Sequence, residues 1–158
     1  MTDRIPITKA GLVKIKEELH HLISVQRPAV QRAIAEAREH GDLRENAEYH
    51  AAKERQSFIE GRIQEINAKF PKFQAVDPAQ QTTESVVFGA TVTLENVESG
   101  DVLTYQIVGP DEADIKQNRI SVQSPIARAL IGRSVGDVVA VTIPRGQIEV
   151  EITNVAYA

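Results

Sequence analysis

Two apolar stripes with helical spacing, separated by a short polar turn, constrain this chain more than any other feature. The first stripe runs through Leu12, Ile15, Leu19 and Leu22 and continues, displaced by one position, through Ile23, Val30, Ile34 and Ala37. The second runs through Tyr49, Ala52, Gln56, Ile59, Ile63, Ile66 and Phe70. Alternating spacings of three and four residues are typical of coiled-coil seams. The pattern predicts an antiparallel α-helical coiled-coil hairpin joined by HGDL, residues 40–43.

Local signals indicate where the first helix begins, bends and ends. Thr8 is a suitable N-cap, and Gly41 suits the left-handed conformation that follows a helix. Pro28 removes a helical hydrogen bond and clashes with the preceding turn. A kink or local break is therefore expected near residues 24–28, without ending the helix. At about 1.5 Å per residue, residues 12–40 span roughly 43 Å, so the turn lies far from the helix start.

The pattern changes from helical to strand-like after the second stripe. Two prolines within residues 71–85 favour a linker, and alternating β-branched segments follow it. SPIARALIG interrupts them as one short helix, with Ser124 as its cap, Pro125 at the first helical position and Gly132 at its end. These signals predict an α+β two-domain chain. Its parts are a hairpin over residues 1–76 with its tip at 41–46, a linker over 77–85, and a small α+β domain over 86–158 in which one helix packs on a twisted antiparallel sheet.

Composition and charge narrow the class of protein. The sequence contains no cysteine, which excludes disulfides and thiolate metal sites within it and favours a reducing cytoplasm. No secretory signal or membrane-spanning apolar run is evident, so no membrane partner is expected. Residues 1–80 hold 13 Lys+Arg and 12 Asp+Glu, and residues 81–158 hold 5 and 10. Neither part has the strongly basic surface of an independent DNA-binding protein.

The turn between the helices is rich in carboxylates and short of cations. Asp42 and Glu45 have the D-x-x-E spacing of a capping box, in which both would serve the second helix. The same two side chains can face outward together, and oxygen ligands of this kind suit Mg²⁺, which binds one or two carboxylates and retains several waters. Two carboxylates alone hold Mg²⁺ weakly. Such a site therefore needs further ligands from a partner or a substrate phosphate.

Other ionisable side chains near the turn leave two interpretations open. His40 and His50, with Glu39 or Glu48, could form a transition-metal site, but their spacing matches no ligand motif. Two solvated imidazoles are the favoured interpretation. The basic side chains near the turn are those of Arg38, Arg44, Lys53 and Arg55. They fit either ordinary pairing on the helix surface or contacts with phosphates.

Two long segments of the sequence resemble the GreA/GreB family of bacterial transcript cleavage factors. AIAEAREHGDLRENAEYHAAKERQ, residues 33–56, resembles the coiled-coil tip of that family. ISVQSPIARALIGRSVGDVV, residues 120–139, resembles the signature of its C-terminal domain. The resemblance covers essentially the whole chain, and residues 111–132 together with the acidic balance are more similar to the GreA branch than to the GreB branch.

The resemblance implies a mode of action. The hairpin would enter the secondary channel of RNA polymerase, and the C-terminal domain, with an FKBP-like fold, would dock at the channel rim. Asp42 and Glu45 would help to hold a second Mg²⁺ in the polymerase active site, and the protein would have no cofactor of its own. The polymerase would then cleave the extruded 3′ segment of the nascent RNA in a backtracked complex. The protein would thus be an accessory factor and not an enzyme.

The family motifs also imply roles for neighbouring residues. Arg38, Arg44 and Lys53 would contact the extruded RNA or the channel wall. Asn46 and Tyr49 would order the tip or contact the polymerase. The segment that resembles the rim-docking surface contains Ser121, Ser124, Pro125 and Ile126.

Three other functions are compatible with parts of the sequence. A Gre-like inhibitor would occupy the same channel and slow synthesis, although the intact GDLREN tip argues against it. A chaperone or prolyl isomerase is disfavoured because the C-terminal domain has only three aromatic residues. A freestanding metal-dependent nuclease is disfavoured because an exposed tip offers no enclosed site. A monomer is expected, since the hairpin satisfies its own seam.

Overall fold

The computed structural model describes residues 4–80 and 84–157, and the chain forms two compact units. One unit is Val13–Lys72, and the other combines Met1–Leu12 with Phe73–Ala158. Residues 5–8 and 73–76, predicted within the hairpin domain, thus belong to the unit that contains the C-terminal residues. Of the predicted linker, residues 77–85, positions 81–83 lie outside the described residues.

The first predicted helix consists of three consecutive helical segments. They are α1 (Lys9–His21), a π-helical turn (Leu22–Gln26) and α2 (Arg27–Arg38). Thr8 Oγ1 accepts a hydrogen bond of 3.0 Å from the Gly11 N–H, which confirms Thr8 as the N-cap. The second predicted helix is α3 (Ala47–Lys69), followed by a 3₁₀ turn (Phe70–Lys72).

The π-helical turn explains why the first apolar stripe is displaced. Its hydrogen bond runs from the Arg27 N–H to the Leu22 carbonyl, which places one extra residue in that turn. In a continuous α-helix, the second turn after Leu22 would bring residue 29 to the seam. The extra residue brings Val30 there instead, and Val30 is fully buried. The predicted break near residues 24–28 is confirmed, and it takes the form of a π-helical turn just before Pro28.

Most of the predicted seam is buried on both sides of the hairpin, while Leu12, Leu19, Tyr49, Gln56 and Phe70 are only partly buried. Its buried members are Ile15, Leu22, Val30, Ile34, Ala37, Ala52, Ile59, Ile63 and Ile66. The placement of Ile23 in the seam is wrong, since Ile23 is 39% exposed and Leu22 takes the buried position. Near the turn the buried members of the seam are the small side chains of Ala37 and Ala52, and Tyr49 is half-buried beside Arg38.

Two bidentate ion pairs connect the helices beside the seam. Arg27 donates to the carboxylate of Glu60 through Nε and Nη2, both at 2.9 Å. Arg62 donates to Glu18 through Nε at 2.8 Å and Nη2 at 2.6 Å. Glu18 and Arg27 lie on either side of the π-helical turn, so the two ion pairs fix the position of α3 against the helix before and after that turn.

A parallel pair of short strands was not predicted. Strand β1 (Ile5–Thr8) pairs with β2 (Phe73–Val76). Four residues carry little periodicity, and their pairing depends on residues far apart in the sequence. The Glu112 carboxylate holds the end of β1 by accepting hydrogen bonds from the Thr8 N–H at 2.8 Å, the Thr8 hydroxyl and the Gly109 N–H at 2.9 Å.

The C-terminal residues form a five-stranded sheet with one helix packed on it. The strands are β3 (Thr91–Asn96), β4 (Val102–Val108), β5 (Arg119–Ser121), β6 (Val138–Ile143) and β7 (Gly146–Ala156). Their order is β5-β4-β3-β7-β6. The prediction of a wholly antiparallel sheet is wrong, because β5 pairs with β4 in parallel. The other short helical elements are 3₁₀ turns at Pro78–Gln80 and Ile115–Gln117.

The predicted short helix is confirmed as α4 (Pro125–Leu130). The Ser124 Oγ accepts from the Ala127 N–H at 3.3 Å, and Gly132 has a φ of +88° beyond the helix end. Ala127 and Leu130 are fully buried against alternating residues of the sheet. Among the described residues, no helix is both long and apolar enough to cross a membrane.

The Glu18–Arg62 ion pair gives the hairpin a predictable acid sensitivity. The hydrogen bond from Arg62 holds the pKa of Glu18 below its ordinary value of 4.5, partly offset by desolvation. A lowered folded-state pKa means that the stabilisation is present above the unfolded-state pKa and is lost as pH falls through the folded-state pKa. We expect Glu18→Gln to lower the free energy of unfolding by less than about 1 kcal/mol at neutral pH, because the pair is partly exposed. Urea unfolding at successively lower pH should show the difference from wild type disappearing below pH 4.5.

Glu17→Gln is the matched control for that experiment. Glu17 is the exposed neighbour of Glu18 and forms no ion pair among the described residues. Its substitution should leave the pH dependence of the unfolding free energy unchanged. An equal effect of the two substitutions would show that general charge, and not the Arg62 pair, sets the acid sensitivity.

Candidate functional site: the acidic tip of the hairpin

The loop between the helices is longer than the four residues predicted. Helix α2 ends at Arg38 and α3 begins at Ala47, so the connection covers residues 39–46. Gly41 has a φ of +116°, with nothing near the position that a Cβ would occupy. The predicted positive φ at Gly41 is therefore confirmed, and the conformation favours glycine because of the backbone and not because of crowding.

Asn46 joins the two helices at the tip. Its Oδ1 accepts from the Tyr49 N–H at 3.0 Å, which caps α3. Its Nδ2 donates at 2.6 Å to the Ala37 carbonyl at the end of α2, which also accepts from the His40 N–H at 3.1 Å. One amide side chain thus serves the end of one helix and the start of the next. Aspartate offers no equivalent, because a carboxylate has no N–H to donate.

The capping-box interpretation of Asp42 and Glu45 is wrong. Asp42 Oδ1 accepts instead from the Arg44 N–H at 2.9 Å, two residues on, which forms a local turn within the loop. Glu45 makes no hydrogen bond within the described residues. Because Asn46 takes the cap, neither carboxylate is used by the helix end.

Both carboxylates are exposed and lie on one open depression of the tip. That depression is lined by His40, Asp42, Glu45, Asn46, Ala47 and Glu48. Within the described part of the chain, neither Asp42 nor Glu45 forms an ion pair. By contrast, Glu18 and Glu60, further along the hairpin, each form a bidentate ion pair with an arginine.

The side chains around the loop are tied to one another. The guanidinium of Arg38 lies 6.0 Å from the centre of the Tyr49 ring, within the range of a cation–π contact. The Tyr49 ring in turn meets the His50 ring edge-on at 5.7 Å. His50 Nε2 lies 3.0 Å from the Arg44 carbonyl. The favoured interpretation of His50 as simply solvated therefore misses a contact with the loop, and no sequence signal indicated it.

The donor set suits Mg²⁺ and does not suit a transition-metal site. Across residues 4–80 and 84–157, no three His, Asp, Glu or Cys side chains lie together as metal ligands. The His40 and His50 metal site considered from the sequence therefore gains no support. His40 lies 3.8 Å from the Glu48 carboxylate, which is a weak, exposed pair. Asp42 and Glu45 offer only hard oxygen atoms, and Mg²⁺ binds to one or two such groups when other ligands complete its shell.

Both parts of the chain match models of a single protein family. Residues 5–74 match "Transcription elongation factor, N-terminal", and residues 80–157 match "Transcription elongation factor, GreA/GreB, C-term". The chain belongs to the GreA/GreB family of transcription elongation factors. The family resemblance of the tip and of residues 120–139 is thereby confirmed.

Several relatives of known name share most of this sequence. The transcription elongation factor GreA of Alkalilimnicola ehrlichii is 58% identical, over 98% of this chain and 99% of the relative. That of Halorhodospira halophila is 59% identical, over 98% of both chains. A solved structure of GreA factor homolog 1 from Thermus thermophilus is 27% identical, covers 96% of this chain and 98% of its own, and superposes with a TM-score of 0.44. The family assignment rests on the sequence matches.

The remaining residues named from the GreA/GreB motif fall into two places. At the tip, Arg44 is exposed, and Lys53 Nζ donates to Gln56 Oε1 at 3.2 Å on the surface of α3. Around the start of α4, Ser124 is occupied as the helix cap and Ile126 packs against the core. Ser121 accepts from the Gln123 N–H at 3.1 Å, which leaves Pro125 as the exposed member of the predicted docking set.

Asn46 provides a test of the tip geometry that does not depend on function. Asn46→Asp keeps the acceptor that caps α3 but loses the donor to the Ala37 carbonyl and places a carboxylate against it. We expect a local destabilisation of about 1 kcal/mol or more. Because a helix end can open locally, amide hydrogen exchange at Tyr49 and His50 is the measurement, and it should be faster in the variant.

Asn67→Asp is the control for the Asn46 substitution. Asn67 is exposed on α3, and its side chain makes no hydrogen bond within the described residues. The same change of charge there should leave exchange at the tip unchanged. Normal exchange at the tip in Asn46→Asp would show that the bond from Asn46 to the Ala37 carbonyl does not hold the two helix ends together.

Proposed function

We propose that this protein stimulates the cleavage of nascent RNA by RNA polymerase in backtracked complexes and so restarts arrested elongation. The observation that carries the proposal is the pair of exposed carboxylates, Asp42 and Glu45, at the tip of a long hairpin in a GreA/GreB family chain. Neither forms an ion pair with any residue that the structure describes. The partner is RNA polymerase, and the protein acts in the cytoplasm as an accessory factor, with no active site of its own.

The hairpin provides the reach that this activity needs. From Lys9 to Arg38 the first helical arm contains 30 residues, or about 45 Å at 1.5 Å per residue. The bond from Asn46 to the Ala37 carbonyl holds the two helix ends together at the tip. We therefore assign the hairpin to the secondary channel of the polymerase and the C-terminal unit, through residues around Pro125, to the channel rim.

The two carboxylates would contribute to a Mg²⁺ site that the polymerase completes. In such a site, Mg²⁺ supplies charge stabilisation at the reacting phosphate and activates the attacking water. Asp42 keeps one carboxylate oxygen outside its bond to the Arg44 N–H, and Glu45 keeps both oxygens available. At an effective dielectric constant of about 20, a unit charge pair about 4 Å apart is worth roughly 4 kcal/mol. Inserted carboxylates are therefore strong enough to favour metal binding in an enclosed channel.

The basic side chains at the tip would act on the substrate and not on the metal. Arg44 and Lys53 are exposed and can meet the phosphates of an extruded RNA 3′ segment. Arg38 is partly committed to the Tyr49 ring. Asn46 and Tyr49 serve the order of the tip through their bonds to the helix ends. We expect the protein to act as a monomer, because the seam is already covered within one chain.

The decisive experiment measures RNA cleavage in purified backtracked RNA polymerase complexes with Mg²⁺. Wild-type protein should raise the cleavage rate. The Asp42→Asn/Glu45→Gln double variant should return it to the rate without factor, while binding to the polymerase changes by no more than about twofold, because exposed charges contribute little to affinity.

The matched control removes two nearby carboxylates, one in the last turn of α2 and one at the first position of the loop. Glu36→Gln/Glu39→Gln changes the net charge equally, lies outside the depression formed by the loop, and should retain stimulation. Loss of stimulation in both double variants would assign the effect to general charge. Slower RNA synthesis with no cleavage by the wild type would instead identify a channel-occupying inhibitor.

A further inference from the structure

We propose that His50 is a positioning residue that fixes the orientation of the Glu45 carboxylate at the tip. The expected effect of His50 on RNA cleavage rests on the proposed function. Its effect on the order of the loop rests only on the hydrogen bonds of the loop. Neither the spacing of His50 nor its position on α3 singles it out in the sequence.

The contact of His50 reaches the peptide group that carries Glu45. His50 Nε2 lies 3.0 Å from the carbonyl oxygen of Arg44. A carbonyl oxygen only accepts, so the imidazole donates and carries a proton on Nε2. The Arg44 carbonyl and the Glu45 N–H belong to the same planar peptide unit. A bond to one side of that plane therefore restricts the direction in which the Glu45 side chain leaves the backbone.

The opposite side of Arg44 is held by Asp42. The Arg44 N–H donates to Asp42 Oδ1 at 2.9 Å. Arg44 is thus fixed through its N–H by one proposed metal-binding residue and through its carbonyl by His50. The two bonds link Asp42 and Glu45 through a single intervening backbone segment, whose geometry sets how the two carboxylates face the depression that they line.

His50 can hold the loop because its own position is fixed. It lies in the second turn of α3, and its backbone N–H donates to the Asn46 carbonyl at 3.1 Å. Its ring meets the Tyr49 ring at an interplanar angle of 65°. His50 thus ties Arg44 to a helix, in addition to the bond that Arg44 makes to Asp42 within the loop. Catalytic groups held by such supporting bonds lose less freedom when the reacting complex forms.

Two substitutions separate the hydrogen bond from the rest of the side chain. His50→Gln retains an N–H donor the same number of bonds from Cα and cannot act as an imidazole. His50→Ala removes the donor. His20→Ala is the control, because His20 is an exposed histidine on α1, away from the tip.

The first measurement is backbone order in the free protein by ¹⁵N relaxation. Arg44 and Glu45 should have order parameters near those of rigid backbone, about 0.85, in wild type and in His50→Gln. In His50→Ala they should fall toward about 0.6, the value of flexible backbone. Unchanged order in His50→Ala would overturn the proposal, whatever the protein does to RNA polymerase.

The second measurement is the kinetics of factor-stimulated RNA cleavage. We expect His50→Ala to lower the rate at saturating factor by about five- to tenfold, the factor that one hydrogen bond supplies. The half-saturating factor concentration should change by less than about twofold, and His50→Gln should restore the rate. A changed half-saturating concentration at an unchanged maximal rate would make His50 a polymerase contact and would overturn the positioning role.

The two measurements keep this proposal distinct from the proposed function. If the wild-type protein does not stimulate cleavage, the proposed function fails, while the relaxation data still decide whether His50 orders the loop. If His50→Gln orders the loop but does not restore cleavage, the imidazole itself acts in the complex, and the positioning role is overturned.

Discussion

The apolar seam between the two arms of the hairpin is the interaction on which the rest of the helical unit depends. Most helical stability in proteins comes from the packing of an apolar face, so the helices persist because Val30, Ile34 and their partners on α3 are buried against each other. The seam also sets the geometry of the tip. Only when α2 and α3 are held side by side can Asn46 reach the Ala37 carbonyl while it caps α3.

Charge is distributed along the hairpin in two different ways. Away from the tip, two carboxylates beside the seam, those of Glu18 and Glu60, each form a bidentate ion pair with an arginine. At the tip, Asp42 and Glu45 form no ion pair within the described residues, and the loop is held by amide, imidazole and backbone groups instead. Order in the loop is therefore obtained without neutralising the two carboxylates, as the proposed contribution to a Mg²⁺ site requires.

The helices with regularly spaced apolar residues could be predicted, because that spacing shows which face of a helix is buried. The buried seam residues and the Thr8 and Ser124 caps follow from such local patterns. Errors arose where a partner distant in sequence decides the outcome. Strand β1 exists because it pairs with β2, and β5 because it lies beside β4. The π-helical turn adds one residue before Val30, and it leaves Leu22 buried and Ile23 exposed. The spacing of apolar residues alone does not show which of these two adjacent side chains faces the seam.

The sequence by itself determined the hairpin, the α+β character of the C-terminal residues, and the gathering of carboxylates around Gly41, because each is encoded in neighbouring residues. The tertiary structure alone decided how those carboxylates are held. Asp42 and Asn46 are both good helix caps by composition, and only the observed start of α3 at Ala47 gives the cap to Asn46 and leaves Asp42 to the loop. The contact of His50 with Arg44 likewise depends on the path of the loop back over α3. The physical reason is that a side-chain hydrogen bond requires two groups at about 3 Å, and residue order alone does not fix that distance.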